Sequence, residues 1–120
     1  MKTHFKSYQL VLKISQKMKI RVGKLGEFDF PPGYYIYTGS AKKNMEARIQ
    51  RHLKKDKPLH WHIDYLTSQK NVEIVDVRRS DMEECLLNDQ TCGLIIVPGL
   101  GVSDCHNNCA SHLKMISAPS

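Results

Sequence analysis

No run in the chain approaches the roughly 20 consecutive apolar residues that span a bilayer, and the N-terminus carries no signal-type apolar segment, so a cytoplasmic protein is expected. There are no internal repeats, and neither a zinc-finger pair nor a helix-turn-helix is appended to read bases. Acidic residues are few: 12 Asp and Glu face 18 Lys and Arg, and the resulting charge of +6 favours a polyanionic partner. Cysteine is sparse, and in a reducing cytosol its 4 residues do not imply a disulfide framework. What is present is ordinary for a folded chain. With 120 residues, 41% hydrophobic and 25% charged, the sequence specifies one domain over 1–120 with a single modest core.

Residues 33–52, GYYIYTGSAKKNMEARIQRH, organise the rest. Pro32 and Gly33 suit the central positions of a type II turn, since proline presets φ and glycine takes positive φ cheaply. A strand is expected over 34–38, where aromatic and β-branched residues favour a pleated, buried surface. Alternation puts Tyr35 and Tyr37 on one face and Tyr34, Ile36 and Thr38 on the other, and Gly39 ends the run. Asn44 is a good N-cap, and Met45, Ile49 and Leu53 follow at helical spacing. Arg48 and His52 fall one turn apart at the border of that apolar stripe. A guanidinium there wants a carboxylate or phosphate, because an unpaired buried charge is expensive. A snorkelling Arg beside a solvated His is the plain alternative.

Upstream, 8–14 alternates as a first strand and 19–25 reads as a second, with 26–33 as the connection. The fold class is therefore α+β: a small central antiparallel sheet of about three strands flanked by helices, in which Tyr8 and Tyr37 approach across strands. Downstream, Pro58 suits the first turn of a helix whose apolar stripe is Leu59, Ile63 and Leu66. His60 and His62 lie two apart, point to different sides, and read as packing or hydrogen-bonding histidines near a cleft. A short strand follows over 72–77. Ser80 with Glu83 has the form of a capping box opening a helix over 81–89, and Met82, Cys85 and Leu86 define its apolar side, away from Glu84. Residues 93–97 are a last strand candidate, broken by the loop Pro98-Gly99-Leu100-Gly101.

Two clusters carry further chemistry. The basic residues gather in 13–24 and 42–57, and the second group, with Lys42, Lys43 and Arg51, lies around the helix of Arg48, where a nucleic-acid backbone would sit. Near the C-terminus, Cys105, Cys109 and His112 approach zinc-ligand spacing, and Cys85 or Cys92 would complete a tetrahedral set. Plain buried thiols are the competing reading.

Tyr37-Thr38-Gly39, then Arg48 and His52 in the next helix, resembles the second half of the GIY-YIG nuclease signature. The surrounding text, with ARIQRHL, LHWHIDYL and a Glu84-Cys85 pair, resembles the small stand-alone Uri-type branch over most of the chain. The resemblance implies a DNA endonuclease using one Mg²⁺ or Mn²⁺ held by Glu84. In it Arg48 neutralises the scissile phosphate, Tyr8 positions or deprotonates the water, Tyr37 bonds water or phosphate, and His52 assists proton transfer. DNA, branched or damaged forms included, would be the partner. The first half of the signature is degenerate: its tyrosine is Tyr8, but Lys6-Ser7 replaces the preceding glycine and its neighbour. Two alternatives stand beside the nuclease, a non-catalytic nucleic-acid-binding domain and a zinc-clamped interaction protein.

Overall fold

The computed structural model describes residues 5–41, 43–101 and 109–116. In chain order its elements are β1 (Ser7–Ile14), β2 (Met18–Arg21), a 3-10 turn (Gly23–Leu25), β3 (Glu27–Phe30), β4 (Gly33–Ser40), α1 (Met45–Leu53), α2 (Asp64–Thr67), β5 (Val72–Ser80), α3 (Glu84–Gln90) and β6 (Leu113–Ile116). The α+β class holds. The central sheet is antiparallel and four-stranded, in the order β5-β1-β4-β6.

Strand β1 lies inside the sheet because its alternating residues can be buried on both faces. Tyr8, Leu10, Leu12 and Ile14 share one face, with Tyr37 opposite Leu10 and Tyr35 opposite Leu12 on β4. That face is the floor of the core. It is covered by Ile20, Val22 and Phe30 from the β2/β3 region, by Ile49 of α1, and by Ile63 and Leu66 at α2. Each such side chain contributes about 1.5–3 kcal/mol by leaving water. On the other face Gln9 donates to Thr38 Oγ1 at 3.1 Å and Thr91 Oγ1 at 2.8 Å, which ties the end of α3 to the sheet.

The strand list differs from the sequence expectation at several places: β2 stops at Arg21, with Gly23–Leu25 a 3-10 turn rather than strand, β4 continues through Gly39 to Ser40, and β5 continues to Ser80. Residues 27–30, expected as part of a connection, form β3 and pair with β2 in a separate two-stranded sheet, Met18 opposite Phe30. Burying Phe30 and Ile20 against the core gives this hairpin its place, so β2 caps the main sheet rather than joining it. Residues 93–97 are not a strand: Leu94 makes one bridge to Met115 and is otherwise exposed. The position beside β4 belongs to β6, whose Leu113 pairs with Tyr37.

Helix boundaries differ too. Helix α1 begins after Asn44 as expected, but Asn44 adopts φ 55° and its side chain makes no cap. Its buried side is Ile49 and His52, while Leu53 is 44% exposed. Pro58 opens no helix and Leu59 is exposed, because α2 is confined to Asp64–Thr67. The capping box does not form: α3 starts at Glu84 with Glu83 as N-cap, and Ser80 Oγ accepts from Met82 N instead. Leu86 is 52% exposed, whereas Asn88 is buried. Among the described residues no helix is long and apolar enough to cross a membrane.

Candidate active site

Four elements deliver side chains to one pocket of about 290 Å³: Tyr8 from β1, Tyr37 and Ser40 from β4, Arg48 from α1 and Glu84 from α3, with Trp61 and His62 on its wall. Larger hollows exist, one of about 370 Å³ beside Lys55 and Asn71 and one of about 880 Å³ near Gln90 and Leu94. Neither gathers a comparable set of phenol, guanidinium and carboxylate.

Tyr8 and Tyr37 are diagonal neighbours on the core face, ring centroids 6.4 Å apart. Their approach depends on Gly39, which pairs with Tyr8 across the strands. A Cβ at Gly39 would stand 2.7 Å from Tyr8 Cζ and Oη, so only glycine leaves room for the ring to lie across β4. Burial pushes both phenols above their ordinary pKa, with Arg48 pulling the other way. The hydroxyls are therefore protonated at neutral pH.

Behind Tyr8 sits His52, its Nε2 2.7 Å from Tyr8 Oη. Burial holds this imidazole down to about 4, with Lys57 reinforcing the effect and Asp64 opposing it. With both groups neutral, the bond runs from Tyr8 O–H to Nε2 when the imidazole proton is on Nδ1, and from Nε2–H to Oη in the other tautomer. His52 Nδ1 is buried and has no hydrogen-bond partner among the described residues.

Arg48 is half-buried, its Nη1 donating to Ser40 O at 2.6 Å and its guanidinium 4.9 Å from the Trp61 ring centre. Trp61 also meets Arg51 at 4.5 Å and His52 at 5.7 Å. Arg51 itself is committed elsewhere: Nη1 and Nη2 each lie 2.9 Å from an oxygen of the fully buried Asp64. Asp64 also accepts from the backbone N–H of His60 and Trp61, which fixes the irregular path of the chain ahead of α2. Burial opposes ionisation of Asp64, yet the hydrogen bonds from Arg51, Trp61 and His60 hold its carboxyl below the ordinary range. Lys57, 4.0 Å away, is pushed down to about 8 by its own burial.

Glu84 reaches the pocket because the turn before α3 is tied down, Ser7 Oγ donating to Met82 O at 2.6 Å. Its Oε2 lies 3.0 Å from His112 Nδ1, which also lies 3.1 Å from Thr38 O. On the opposite side of that imidazole, Nε2 is 4.0 Å from Cys85 Sγ. Cys85, Cys109 and His112 present ligand atoms all within 4.8 Å of one another, a group that could hold a metal ion. Cys92 is exposed and stands outside it.

Of the residues singled out from the sequence, Tyr8, Tyr37, Arg48 and Glu84 line the pocket, and His52 supports it from behind. His60 and His62 line it as well, and Gly101 N donates to His62 Nδ1 at 3.0 Å. Lys43 is exposed just ahead of α1. Lys42 and Cys105 lie outside the described residues. Sequence reasoning missed Asp64 as a centre of the structure and Trp61 as a wall of the site. The available signal was a lone carboxylate within the apolar and aromatic stretch 61–66, which a packed segment cannot leave without partners.

Residues 7–120 match the family described as Domain of unknown function DUF123. The chain belongs to the DUF123 family. That description assigns no activity, so the chemistry of this DUF123 chain has to be argued from its pocket. No curated protein and no solved structure matches it.

Proposed function

We propose that this chain is a metal-dependent endonuclease of the GIY-YIG type, hydrolysing phosphodiester bonds in DNA. The observation that supports it most is the meeting of Tyr8, Tyr37, Arg48 and Glu84, far apart in sequence, around one small polar pocket. The pocket's donor set suits magnesium or manganese: Glu84 is its one carboxylate among the described residues, and such ions take one or two carboxylates while keeping waters and phosphate oxygens. When bound, the ion supplies charge neutralisation and a more acidic water.

The chain's own residues do the rest. Arg48, steadied by Ser40 O and Trp61, turns its guanidinium to a phosphate that it can pair through more than one N–H. Tyr37 donates a hydrogen bond to the attacking water or a phosphoryl oxygen. Tyr8 need not become a phenolate, which its burial disfavours. In the tautomer with the imidazole proton on Nδ1, Tyr8 Oη takes a proton from the water as its own proton passes to His52 Nε2 over the 2.7 Å hydrogen bond. With His52 held at about 4, protonating it at pH 7 costs roughly 4 kcal/mol. That is a modest part of the barrier of about 15–17 kcal/mol corresponding to turnover at 1–100 per second.

For the group of Cys85, Cys109 and His112 the ion we propose is zinc, since thiolate and imidazole ligands suit it. A non-catalytic nucleic-acid-binding domain and a zinc-clamped interaction protein are the competing functions. Plasmid, branched and single-stranded DNA incubated with Mg²⁺ or Mn²⁺ separate them. The parent is expected to cleave, and Arg48→Ala and Glu84→Ala are expected to fall by about 10²–10³-fold, the scale for removing one transition-state contact. Binding without cleavage in the parent, indifferent to Glu84→Ala, would favour the non-catalytic domain.

A further inference from the structure

We infer that the thiol–imidazole group of Cys85, Cys109 and His112 is a zinc centre whose outer hydrogen-bonding partner is Glu84, so that the ion and the pocket share one side chain. Around tetrahedral zinc, with Zn–S near 2.3 Å and Zn–N near 2.0–2.1 Å, neighbouring ligand atoms stand about 3.5–3.8 Å apart. Here Cys85 Sγ and His112 Nε2 are 4.0 Å apart and all three ligand atoms lie within 4.8 Å, so the group closes on an ion by side-chain shifts below roughly 1 Å. The described residues supply three ligands of a tetrahedral set of four.

The second observation is what His112 does with its other nitrogen. Nδ1 faces Glu84 Oε2 at 3.0 Å and Thr38 O at 3.1 Å, both acceptors, while Nε2 faces the thiols. That is the arrangement of a zinc-bound histidine: one nitrogen on the metal, the other N–H donated to a carboxylate or carbonyl that fixes the tautomer and ring orientation. The ring cannot turn easily, since His112 is fully buried and its backbone is bonded on both sides, N to Leu100 O and O to Thr38 N. An ion on Nε2 keeps the proton on Nδ1 and so holds a donor against Glu84. Only the consequence for cleavage rests on the proposed nuclease reading; the centre itself does not.

The test needs no DNA. The full chain, purified without chelator, is analysed for metal, then exchanged with Co²⁺ and examined for thiolate-to-cobalt charge-transfer absorption. Zinc affinity is measured by competition with a chromophoric chelator for the parent, Cys109→Ser, Glu84→Ala and Glu84→Gln. The expected results are roughly one zinc per chain and a thiolate–cobalt band, both lost in Cys109→Ser. Glu84→Ala should bind zinc about 10–100-fold more weakly, and Glu84→Gln, whose amide oxygen can still accept from Nδ1, should recover part of that loss. Absence of zinc and of the cobalt band in the parent, or a Cys85–Cys109 disulfide by intact mass, would overturn the centre. An unchanged zinc affinity in Glu84→Ala would overturn its link to the pocket. Because the readout is metal affinity, a chain that holds zinc in this way but cuts no DNA would keep this inference and sink the nuclease.

Discussion

His52 shows how a single side chain ties stability to the site. The unfolded chain protonates it near 6.5 and the folded chain only near 4, so between those values the unfolded state binds more protons. Its contribution is therefore complete above about pH 6.5 and is lost as pH falls towards 4, by roughly 3 kcal/mol in all. Asp64, with its carboxyl held below the ordinary range, acts in the same direction at lower pH. Urea unfolding at pH 7 and pH 4.5 should show a larger loss in the parent than in His52→Gln, and equal losses would contradict the assignment. Gly39→Ala is predicted to destabilise by about 1–3 kcal/mol, because the new methyl meets the Tyr8 ring at 2.7 Å. Unchanged stability would mean that the ring has somewhere else to go. The approach of Tyr8 to Tyr37 was legible from strand pairing, whereas their meeting with Arg48 and Glu84 was expected only from the resemblance to the GIY-YIG signature. Helical spacing put Glu84 away from an apolar side of Met82, Cys85 and Leu86, and the structure reverses this: Leu86 is exposed, Met82 lies ahead of the helix, and Glu84 shares the inward face of buried Asn88 and meets His112. That Asp64 needs partners was legible from its apolar surroundings, but that the main one is Arg51 was not, because Arg51 reaches it from another helix.

At the scale of elements, the segment before α2 is held by one buried carboxylate rather than by helical hydrogen bonds. Asp64→Ala leaves Arg51 and two backbone N–H groups without their acceptor, at a cost of about 3–5 kcal/mol. Denaturant unfolding measures this, and a loss below about 1 kcal/mol would show the network to be dispensable. On the proposed nuclease reading the same variant should weaken cleavage, since Trp61 and His62 lie on that segment and on the wall of the pocket. Strands β1 and β4 were readable, being eight residues each with aromatic or aliphatic alternation. Strands β3 and β6 were not: β3 lies in the stretch read as a connection and β6 is defined by pairing with β4 across most of the chain. The capping box failed for a related reason: Ser80 is the last residue of β5, so its hydroxyl serves the turn into α3 instead.

For the molecule as a whole, the sheet places phenols from its two central strands beside a guanidinium from one helix and a carboxylate from another, and the +6 charge favours a polyanion in front of them. Composition made that charge legible; how the basic residues are used was not. Arg51 was grouped with Lys43 as a nucleic-acid contact, yet its guanidinium is engaged by Asp64 inside the fold. The central claim is that this pocket hydrolyses a phosphodiester with Tyr8 passing the proton. The most direct measurement is single-turnover cleavage of the same DNA by the parent and by Tyr8→Phe, with Mg²⁺ or Mn²⁺ and DNA binding matched. Cleavage by the parent and a drop of about 10²-fold or more in Tyr8→Phe, at equal DNA occupancy, is the predicted result. Equal rates for the two proteins, or no metal-dependent cleavage by the parent on any DNA form, would contradict it.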